Sequence, residues 1–426
     1  MAVHFSFSIG SPTRELTTDD FRAALARMFA MLGPRNKVLA IPPDFSRLDS
    51  QAGRLTCLAH EHLGKRLIDV MPALGTHTAM SDAQLAKMFP GLPTSLIRVH
   101  DWRNDVVTIG HVPADFVAHT TDGVYAKAWP AQLNRRVWQG GHDLILSIGQ
   151  VVPHEVIGMA NYNKNLFVGT GGVAGINESH FLSAAYGMER VMGRAENPLR
   201  SILNYAEQNF CRHLPIVYVL TVMGTNEQGE LVTRGLFIGN DVDCFHQAAD
   251  LSQEVNITLL DRSPSKVVVH LGGDEFHSTW LGNKAIYRTR MAIADDGKLV
   301  VLAPGVGTFG EDQQIDRLIR RYGYCGTPET MRLVEHDADM GRNLAAAAHL
   351  IHGSSEGRFT ITYCPGGLTR EEIEGVGYQY GDLTATEQRY NPAMLQDGWN
   401  RLPDGEEVFF IRRPAQGLWA TRERFQ

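Results

Sequence analysis

The sequence DLILSIGQVV at residues 143–152 decides the fold class of this chain. It is rich in Leu, Ile and Val without a regular polar alternation, which is typical of a strand buried on both faces of a parallel sheet. Apolar runs of the same kind occur at 37–43, 95–102, 215–224, 266–273 and 298–305. Each of these runs therefore predicts a buried strand.

Helical patterns separate these runs. Apolar residues with helical spacing occur at 17–33, 81–89, 178–192 and 329–353. The first pattern begins at Thr17 or Thr18 as a cap and ends at Gly33, and the second begins at the cap Ser81. Strands that alternate with helices predict an α/β fold with mainly parallel sheets.

The chain has 426 residues, more than one hydrophobic core usually serves, so we expect two α/β domains with the active site in the cleft between them. A boundary is expected near 240–260, where GNDVDCFHQAADLSQEV passes into DRSPSK and a new series of strands, loops and helices begins. We therefore expect an N-terminal cofactor-binding domain over 1–245 and a C-terminal α/β domain over 246–394. The tail, 395–426, is expected to return to the N-terminal domain.

The charge and composition of the chain limit the kinds of molecule that it is expected to bind. The net charge is −7 and no block of like charges occurs, so the sequence favours a small molecule over a nucleic acid. We find neither a signal-peptide pattern nor a run of 18 apolar residues, and the five cysteines are scattered without a C-x-x-C pair. These features predict a cytoplasmic globular protein that uses no membrane and no disulfide framework.

Polar residues gather where the predicted strands end, at 42–47, 73–82, 151–180 and 270–284. Loops at the carboxyl ends of strands usually build the site of an α/β protein. In the first segment Asp44, Ser46 and Arg47 could grip a phosphate or a carboxylate, although a plain turn with an exposed arginine is also consistent. In the second, His77 follows Gly75 and could act as a general base or lie on the surface.

The third segment places His154, Lys164 and His180 around the glycine turn GTGGVAG at 169–175. Such a turn can cradle a phosphate, and its G-x-G-x-x-A pattern with Glu189 as the ribose acid keeps a nicotinamide-dependent oxidoreductase open as an alternative. A hydrolytic zinc site lacks the usual ligand spacing, such as H-E-x-x-H. A non-catalytic nucleotide or metal carrier is the third interpretation, but it would not need two facing histidines.

These segments together resemble the lactate racemase family of nickel-pincer enzymes. The resemblance rests on a D-x-[ST]-R loop, a G-x-H element, a His-Lys-His series and a G-G…K element, which are here Asp44-Phe45-Ser46-Arg47, Gly75-Thr76-His77, His154 with Lys164 and His180, and Gly272-Gly273 with Lys284. These motifs span about 240 residues in the family's order, which is more specific than any single motif.

The resemblance implies a nickel-pincer nucleotide, a pyridinium-3,5-bisthiocarboxylic acid mononucleotide that carries nickel. Lys164 would attach it covalently, and His180 would be the fourth nickel ligand of a square-planar site. The loop Asp44, Phe45, Ser46 and Arg47 and the turn residues Gly171 and Gly172 would hold it. Cofactor biosynthesis proteins would be partners.

The resemblance also implies a racemase or epimerase that inverts C2 of a 2-hydroxy acid by proton-coupled hydride transfer. His77 and His154 would exchange the hydroxyl proton on opposite sides of the substrate, and Lys284 with Arg47 would neutralise its carboxylate.

Two departures from the family pattern bear on the details. Asn161-Tyr162-Asn163 precedes Lys164 in place of a Ser-Gly-Gly type of approach, which makes the covalent attachment a point to test. Trp280 and Leu281 stand where the racemase pattern has Tyr-Gln, and Phe45 is also apolar. The substrate is therefore expected to be a short 2-hydroxy acid with an apolar side chain.

Overall fold

The computed structural model describes residues 5–273 and 275–426. These residues form two compact units. The first runs to Leu182 and includes Arg190–Asn256, and the second comprises Ser183–Glu189 and Ile257–Gln426. Within the described ranges no helix is both long and apolar enough to cross a bilayer.

The first unit contains most of its strands before residue 160 and two long ones after it. Its strands are β1 (Ser6–Gly10), β2 (Val38–Ile41), β3 (Leu67–Val70), β4 (Val106–Val112), β5 (Trp129–Asn134), β6 (Leu144–Gln150), β7 (Pro153–His154), β8 (Gly158–Met159), β9 (Ile216–Thr225) and β10 (Leu231–Gly239). Its helices are α1 (Thr18–Leu32), α2 (Ala52–Leu63), α3 (Asp82–Met88), α4 (Ala114–Thr120), α5 (Arg135–Gln139), α6 (Asn163–Phe167), α7 (Val173–Val191), α8 (Pro198–Phe210) and α9 (Val242–Asn256), and 3-10 turns cover Phe45–Ser50, Gly64–Arg66 and Thr94–Leu96. Residues Ser183–Glu189 of α7 are the part of this helix that belongs to the second unit.

The main sheet of the first unit has the order β1-β10-β9-β6-β2-β3. β9, β6, β2 and β3 pair in parallel, and β10 and β1 add an antiparallel edge. All four residues of β2 are buried, as expected for a strand covered on both faces. Side chains of α1, α2 and the strands form the core against one face of this sheet.

The second unit has its own sheet, of order β15-β14-β13-β12-β17-β16, which is parallel except where β16 joins β17. Its strands are β11 (Ile257–Leu260), β12 (Lys266–His270), β13 (Lys298–Ala303), β14 (Thr360–Pro365), β15 (Gln379–Tyr380), β16 (Gly398–Arg401), β17 (Glu407–Ile411) and β18 (Leu418–Thr421). Its helices are α10 (Thr279–Gly282), α11 (Lys284–Tyr287), α12 (Gln313–Tyr322), α13 (Thr327–His336), α14 (Ala338–Gly341), α15 (Leu344–His352), α16 (Arg370–Gly375), α17 (Leu383–Arg389) and α18 (Arg422–Phe425), with a 3-10 turn at Pro414–Gln416.

The α/β class with mainly parallel sheets is confirmed, and two local expectations are wrong. Residues 95–102 form no strand, because after a 3-10 turn only Ile97 pairs with Val70 in an isolated bridge. The tail 395–426 belongs to the second unit, because β17 supplies a parallel neighbour for β12. An apolar run in the tail cannot reveal by itself which sheet has an open edge for it.

Helix caps agree closely with the sequence signals. The Thr17 side chain accepts the N–H of Asp20 while the Asp20 side chain accepts the N–H of Thr17, and Ser81 and Gln84 form the same reciprocal pair. Each pair satisfies two backbone donors that the first turn of a helix leaves open. These caps fix the starts of α1 and α3.

Close packing of α2 and α3 provides a test of the fold. A Cβ on Gly53 would lie 2.0 Å from the carbonyl oxygen of Met88, so Gly53→Ala must push the two helices apart. We expect a loss of about 1–3 kcal/mol in unfolding free energy, measured as a lower melting temperature. Gly375→Ala in α16 is the control, since its added Cβ meets no atom within 4 Å. Equal melting temperatures for Gly53→Ala and the parent would contradict this packing.

Candidate functional site

The polar loops of the first unit meet at the carboxyl ends of β2, β3 and β6. Parallel pairing of these strands continues past their ends in a bridge between Pro43 and Ala73. The N–H of Gly75 then donates to the carbonyl of Gly169 at 2.9 Å, so the loop after β3 is tied to the glycine turn. Loops that follow neighbouring parallel strands therefore form one surface, where such sheets commonly bind ligands.

Asp44 and His77 form a hydrogen-bonded pair on this surface. Asp44 is buried and begins the 3-10 turn after β2, and its carboxylate accepts the N–H and the hydroxyl of Ser46. Its other oxygen lies 2.6 Å from Nδ1 of His77, whose side chain is half exposed. Burial raises the pKa of Asp44, but the hydrogen bonds and charge of His77 and the Ser46 bonds outweigh burial and lower it. An ionised Asp44 holds the proton on Nδ1 of His77 and leaves Nε2 as a base.

His154 has the opposite arrangement of ring nitrogens. It ends β7, is buried, and its Nδ1 accepts the backbone N–H of Val156 at 3.1 Å. Burial and the positive groups around it, led by Lys164 and Arg47, hold the pKa of His154 well below its ordinary value. The ring is therefore neutral near pH 7 with its proton on Nε2, so that nitrogen donates.

Lys164 lies in the first turn of α6 and is half-buried. Burial and the nearby charge of Arg47 lower its pKa to about 8, although Glu155 and Asp44 oppose this change. A lysine with this pKa is largely an unprotonated amine at mildly alkaline pH, and such amines act as nucleophiles. The environment of Lys164 thus suits covalent chemistry.

His180 lies on α7 and presents a free imidazole lone pair. Its Nδ1 donates to the carbonyl of Ile176 at 2.7 Å, which leaves Nε2 unprotonated in the neutral ring. Burial lowers the pKa of His180, and the charge of Lys164 adds to that effect. A backbone bond that fixes the tautomer is the usual arrangement behind a histidine metal ligand.

The charges of these residues perturb one another's titration, which places them in one cluster. Arg47 acts on both His154 and Lys164, and Lys164 acts on His180. No carboxylate forms an ion pair with Arg47 in the part of the chain that the structure describes. Glu155 acts on all three buried groups, and sequence reasoning did not single it out although it adjoins His154.

The side chains of this cluster could bind a metal ion only if another molecule supplied further ligands. Among residues 5–273 and 275–426, no three His, Cys, Asp or Glu side chains gather as a metal ion would need. His180 by itself supplies one imidazole nitrogen. A bound group must therefore provide the other ligands, and a pincer with soft sulfur donors that is anchored on a lysine amine fits these residues.

The glycine turn owes much of its composition to internal packing. A Cβ on Gly171 would lie 1.8 Å from the carbonyl oxygen of Phe167, and one on Gly172 would lie 2.5 Å from Oε1 of Gln132. The Gly171 carbonyl also bonds to Nε2 of His100, a buried residue that the sequence did not mark as part of a site. Glycine at these two positions is thus required by the fold whether or not a phosphate binds there.

Two observations argue against the dinucleotide interpretation of this turn. The turn follows the helix α6, whereas a dinucleotide fingerprint follows a strand. Glu189, the candidate ribose acid, belongs to the second unit and forms ion pairs there at 3.1 Å with Arg290 and with Arg358. Its carboxylate is therefore engaged in structural contacts.

The remaining predicted residues are placed as follows. Phe45 is half-buried and packs against the hydrophobic core of the first unit, with Nζ of Lys87 5.7 Å from its ring centre. Trp280 and Leu281 lie in α10 of the second unit, half-buried, and the Trp280 ring lies 4.5 Å from that of His349. Lys284 begins α11, with Nζ 5.6 Å from the ring centre of Phe276.

A cavity of about 650 Å³ in the first unit lies elsewhere. It is lined by Leu144 and Ile216, which begin β6 and β9, and so it opens at the amino ends of those strands. Tyr162 and Glu207 line its inner wall. Because the titrating cluster gathers at the carboxyl ends of the strands, we place the candidate site there and not in this cavity.

Two solved structures are similar to this chain along nearly its whole length. A crystal structure of a protein from Thermotoga maritima has a TM-score of 0.81 at 21% identity and covers 97% of this chain and 100% of that one. The lactate racemase apoprotein from Thermoanaerobacterium thermosaccharolyticum has a TM-score of 0.66 at 12% identity, with 96% and 90% covered. No protein-family model and no curated protein matches. At these identities the likeness is one of fold.

The environment of Lys164 predicts selective labelling by cyanate, a small reagent for neutral amines. At pH 8 about half of an amine with pKa about 8 is neutral, against roughly 0.4% for a lysine at the ordinary value of about 10.4. We expect peptide mass spectrometry to show residue 164 carbamylated at least tenfold faster than exposed lysines such as Lys65. Lys164→Arg should remove only that peptide's modification. Equal rates at residues 164 and 65 would contradict the assigned environment.

Proposed function

We propose that this protein is a racemase or epimerase that inverts C2 of a 2-hydroxy acid and carries a nickel-pincer nucleotide. The observation that supports it most is the cluster of a low-pKa lysine, a histidine with a free Nε2, and an arginine without an acidic partner in the described chain. Each group is of the type that this cofactor would need. The lactate racemase likeness in fold is consistent with the proposal.

Lys164 and His180 would hold the cofactor. The Lys164 amine, with its pKa lowered to about 8, would be the point at which the nucleotide is covalently attached. His180 would coordinate nickel through Nε2, since its Nδ1 proton is held by the carbonyl of Ile176. Arg47 would pair with the phosphate or with a substrate carboxylate. When bound, the cofactor would accept a hydride from C2 and return it.

His77 and His154 would handle the hydroxyl proton. Nε2 of His77 is a proton acceptor as the structure stands, because Asp44 fixes its tautomer. Nε2 of His154 is a donor, because the Val156 N–H occupies its other nitrogen. In one direction of the reaction His77 would therefore accept the hydroxyl proton and His154 would donate one. In the reverse direction His154 would be the acceptor and His77 the donor. A weakly basic, buried His154 would release a proton readily once charged.

Lys284 would neutralise the substrate carboxylate, and the apolar pair Trp280 and Leu281 would contact its side chain. This proposal for a short apolar substrate rests on those two residues and on the half-buried Phe45, which are all apolar. A hydroxylated side chain would lose its water without replacement next to such groups, which costs about one to several kcal/mol per polar group. We therefore propose 2-hydroxybutyrate-like acids as the substrate class.

The proposal predicts how nickel and nucleotide are retained. In protein produced together with the cofactor's biosynthetic proteins, His180→Ala should lose stoichiometric nickel, because it removes the proposed nickel ligand. The fold should be kept, since the substitution removes only one side chain and its bond within α7. Lys164→Ala should eliminate a nucleotide-sized increase in intact mass. His119→Ala, an exposed histidine on α4, is the control and should change neither quantity. Full nickel content in His180→Ala would show that the ligand is a different group.

Isotope retention tests the reaction itself. Hydride return keeps a deuterium label at C2 of the inverted product, whereas proton abstraction from carbon would exchange it with solvent. We therefore expect most of the label at C2 by NMR, and at least a hundredfold loss of rate in His77→Ala and in His154→Ala, because general acid–base groups contribute about 10²–10⁴-fold. Complete washout of the label would exclude hydride chemistry. A preference for polyhydroxy acids would contradict only the proposed substrate class.

A further inference from the structure

The backbone just before Lys164 is held in an unusual conformation. Asn161 has φ of 64°, and Tyr162 has φ of 59° and ψ of −137°, in the left-handed half of the map that residues other than glycine rarely adopt. Asn163 then begins α6. Such a turn persists only when surrounding contacts hold it.

Arg200, a fully buried residue of α8, supplies the contacts to this turn. One guanidinium nitrogen lies 2.5 Å from Oδ1 of Asn163, and the other donates to the carbonyl of Met159 at 2.6 Å. Both nitrogens also reach the Asn161 carbonyl, at 3.4 and 3.5 Å. The planar fork thus grips the chain on both sides of Tyr162, which a single-point donor could not do.

Aromatic rings pack around Arg200, and the half-buried Glu207 bonds to its partner Asn163. The guanidinium carbon lies 4.2 Å from the ring centre of Phe245, and the Tyr162 ring stacks on Phe245 at 5.1 Å. The Asn163 side chain donates to Glu207 at 3.1 Å, and Tyr218 donates to the same carboxyl group at 2.5 Å. The Asn163 side chain therefore bonds to both Arg200 and Glu207 and connects them. Among the described residues, these are the ionisable groups to which it bonds.

We infer that Arg200 is a positioning residue that, through Asn163 and the strained turn, presents the Lys164 amine to the nucleotide cofactor. This inference deepens the proposed function, because attachment of the cofactor is what the amine would be positioned for. Arg200 itself lies behind the turn and donates to the backbone and to Asn163, so it acts through Lys164 and touches no substrate. The missing Ser-Gly-Gly type of approach is thus replaced by a turn that an arginine fixes.

The cyanate reaction of Lys164 in the cofactor-free protein tests this inference. Arg200→Met keeps the apolar volume but removes the fork, so the turn should relax and the amine should become more solvated. A rise of one unit in the pKa of Lys164 lowers the neutral fraction at pH 8 about fivefold, and we expect at least that loss in the carbamylation rate. The charge of Arg200 by itself also lowers the pKa of Lys164, and Arg200→Lys separates the two effects. It keeps the charge but cannot grip both sides of the turn, so it should lose reactivity as well.

Arg234→Met is the matched control. Arg234 is also a buried arginine of the first unit and also donates to two carbonyls, those of Arg14 and Thr225, but it contacts neither α6 nor the turn. It should lower the melting temperature without changing the Lys164 rate. If Arg200→Met does not fold, Asn163→Ala carries the test, because it removes the bridging amide alone and should show the same loss.

Wild-type reactivity of Lys164 in folded Arg200→Met or in Asn163→Ala would overturn the inference and reduce Arg200 to a structural support. Mass spectrometry after production with the biosynthetic proteins gives the second measurement, with less covalent nucleotide on Arg200→Met than on Arg234→Met. Failure of the proposed function is distinguishable. A wild-type protein that never acquires nickel but shows the predicted cyanate rates would contradict the function and leave the positioning role intact.

Discussion

The parallel pairing of β2 with β3 on one side and β6 on the other is the constraint on which the candidate site depends. Strands that run side by side in one direction end at one edge of the sheet, so the loops that follow them must meet there. The bond from Gly75 to the Gly169 carbonyl joins the loop after β3 to the glycine turn. His77 is thereby fixed relative to α6, which begins beside Lys164, through backbone contacts and not through long side chains.

Burial of cations then determines the chemistry available at this edge. Lys164, His154 and His180 all lose affinity for protons because water is excluded and because their neighbours are positive. Near pH 8 the cluster therefore holds two neutral imidazoles and a lysine that is about half unprotonated. Hydrogen bonds at Nδ1 decide what each imidazole presents, a donor in His154 and a lone pair in His180. One cluster thus brings together an amine, an imidazole lone pair and an imidazole N–H, which are the groups that the proposed function uses.

Stability and function compete in the turn before Lys164. A residue such as Tyr162 in a sparsely populated backbone region costs about 1–3 kcal/mol, and the fully buried Arg200 must be desolvated to hold it. Strain of this kind is usual where a side chain must be aimed. The glycines at 171 and 172 show the opposite case, in which a motif that resembles a ligand cradle is already required by packing against Phe167 and Gln132.

The sequence by itself determined the strands at 143–152, 215–224, 266–273 and 298–305 and the caps of α1 and α3, because periodicity and capping are local properties. It also named His77, His154, Lys164 and His180 as candidates through the resemblance of their motifs, and their roles stay a prediction. Only the tertiary structure decided that residues 95–102 are not a strand and that the tail joins the second unit, since both depend on which sheet edge is open. It alone brought Arg200 behind Lys164 and His100 against the glycine turn. Those contacts join Arg200 to Asn161 and His100 to Gly171, which lie 39 and 71 positions apart, and no local pattern encodes a contact between residues so far apart in the sequence.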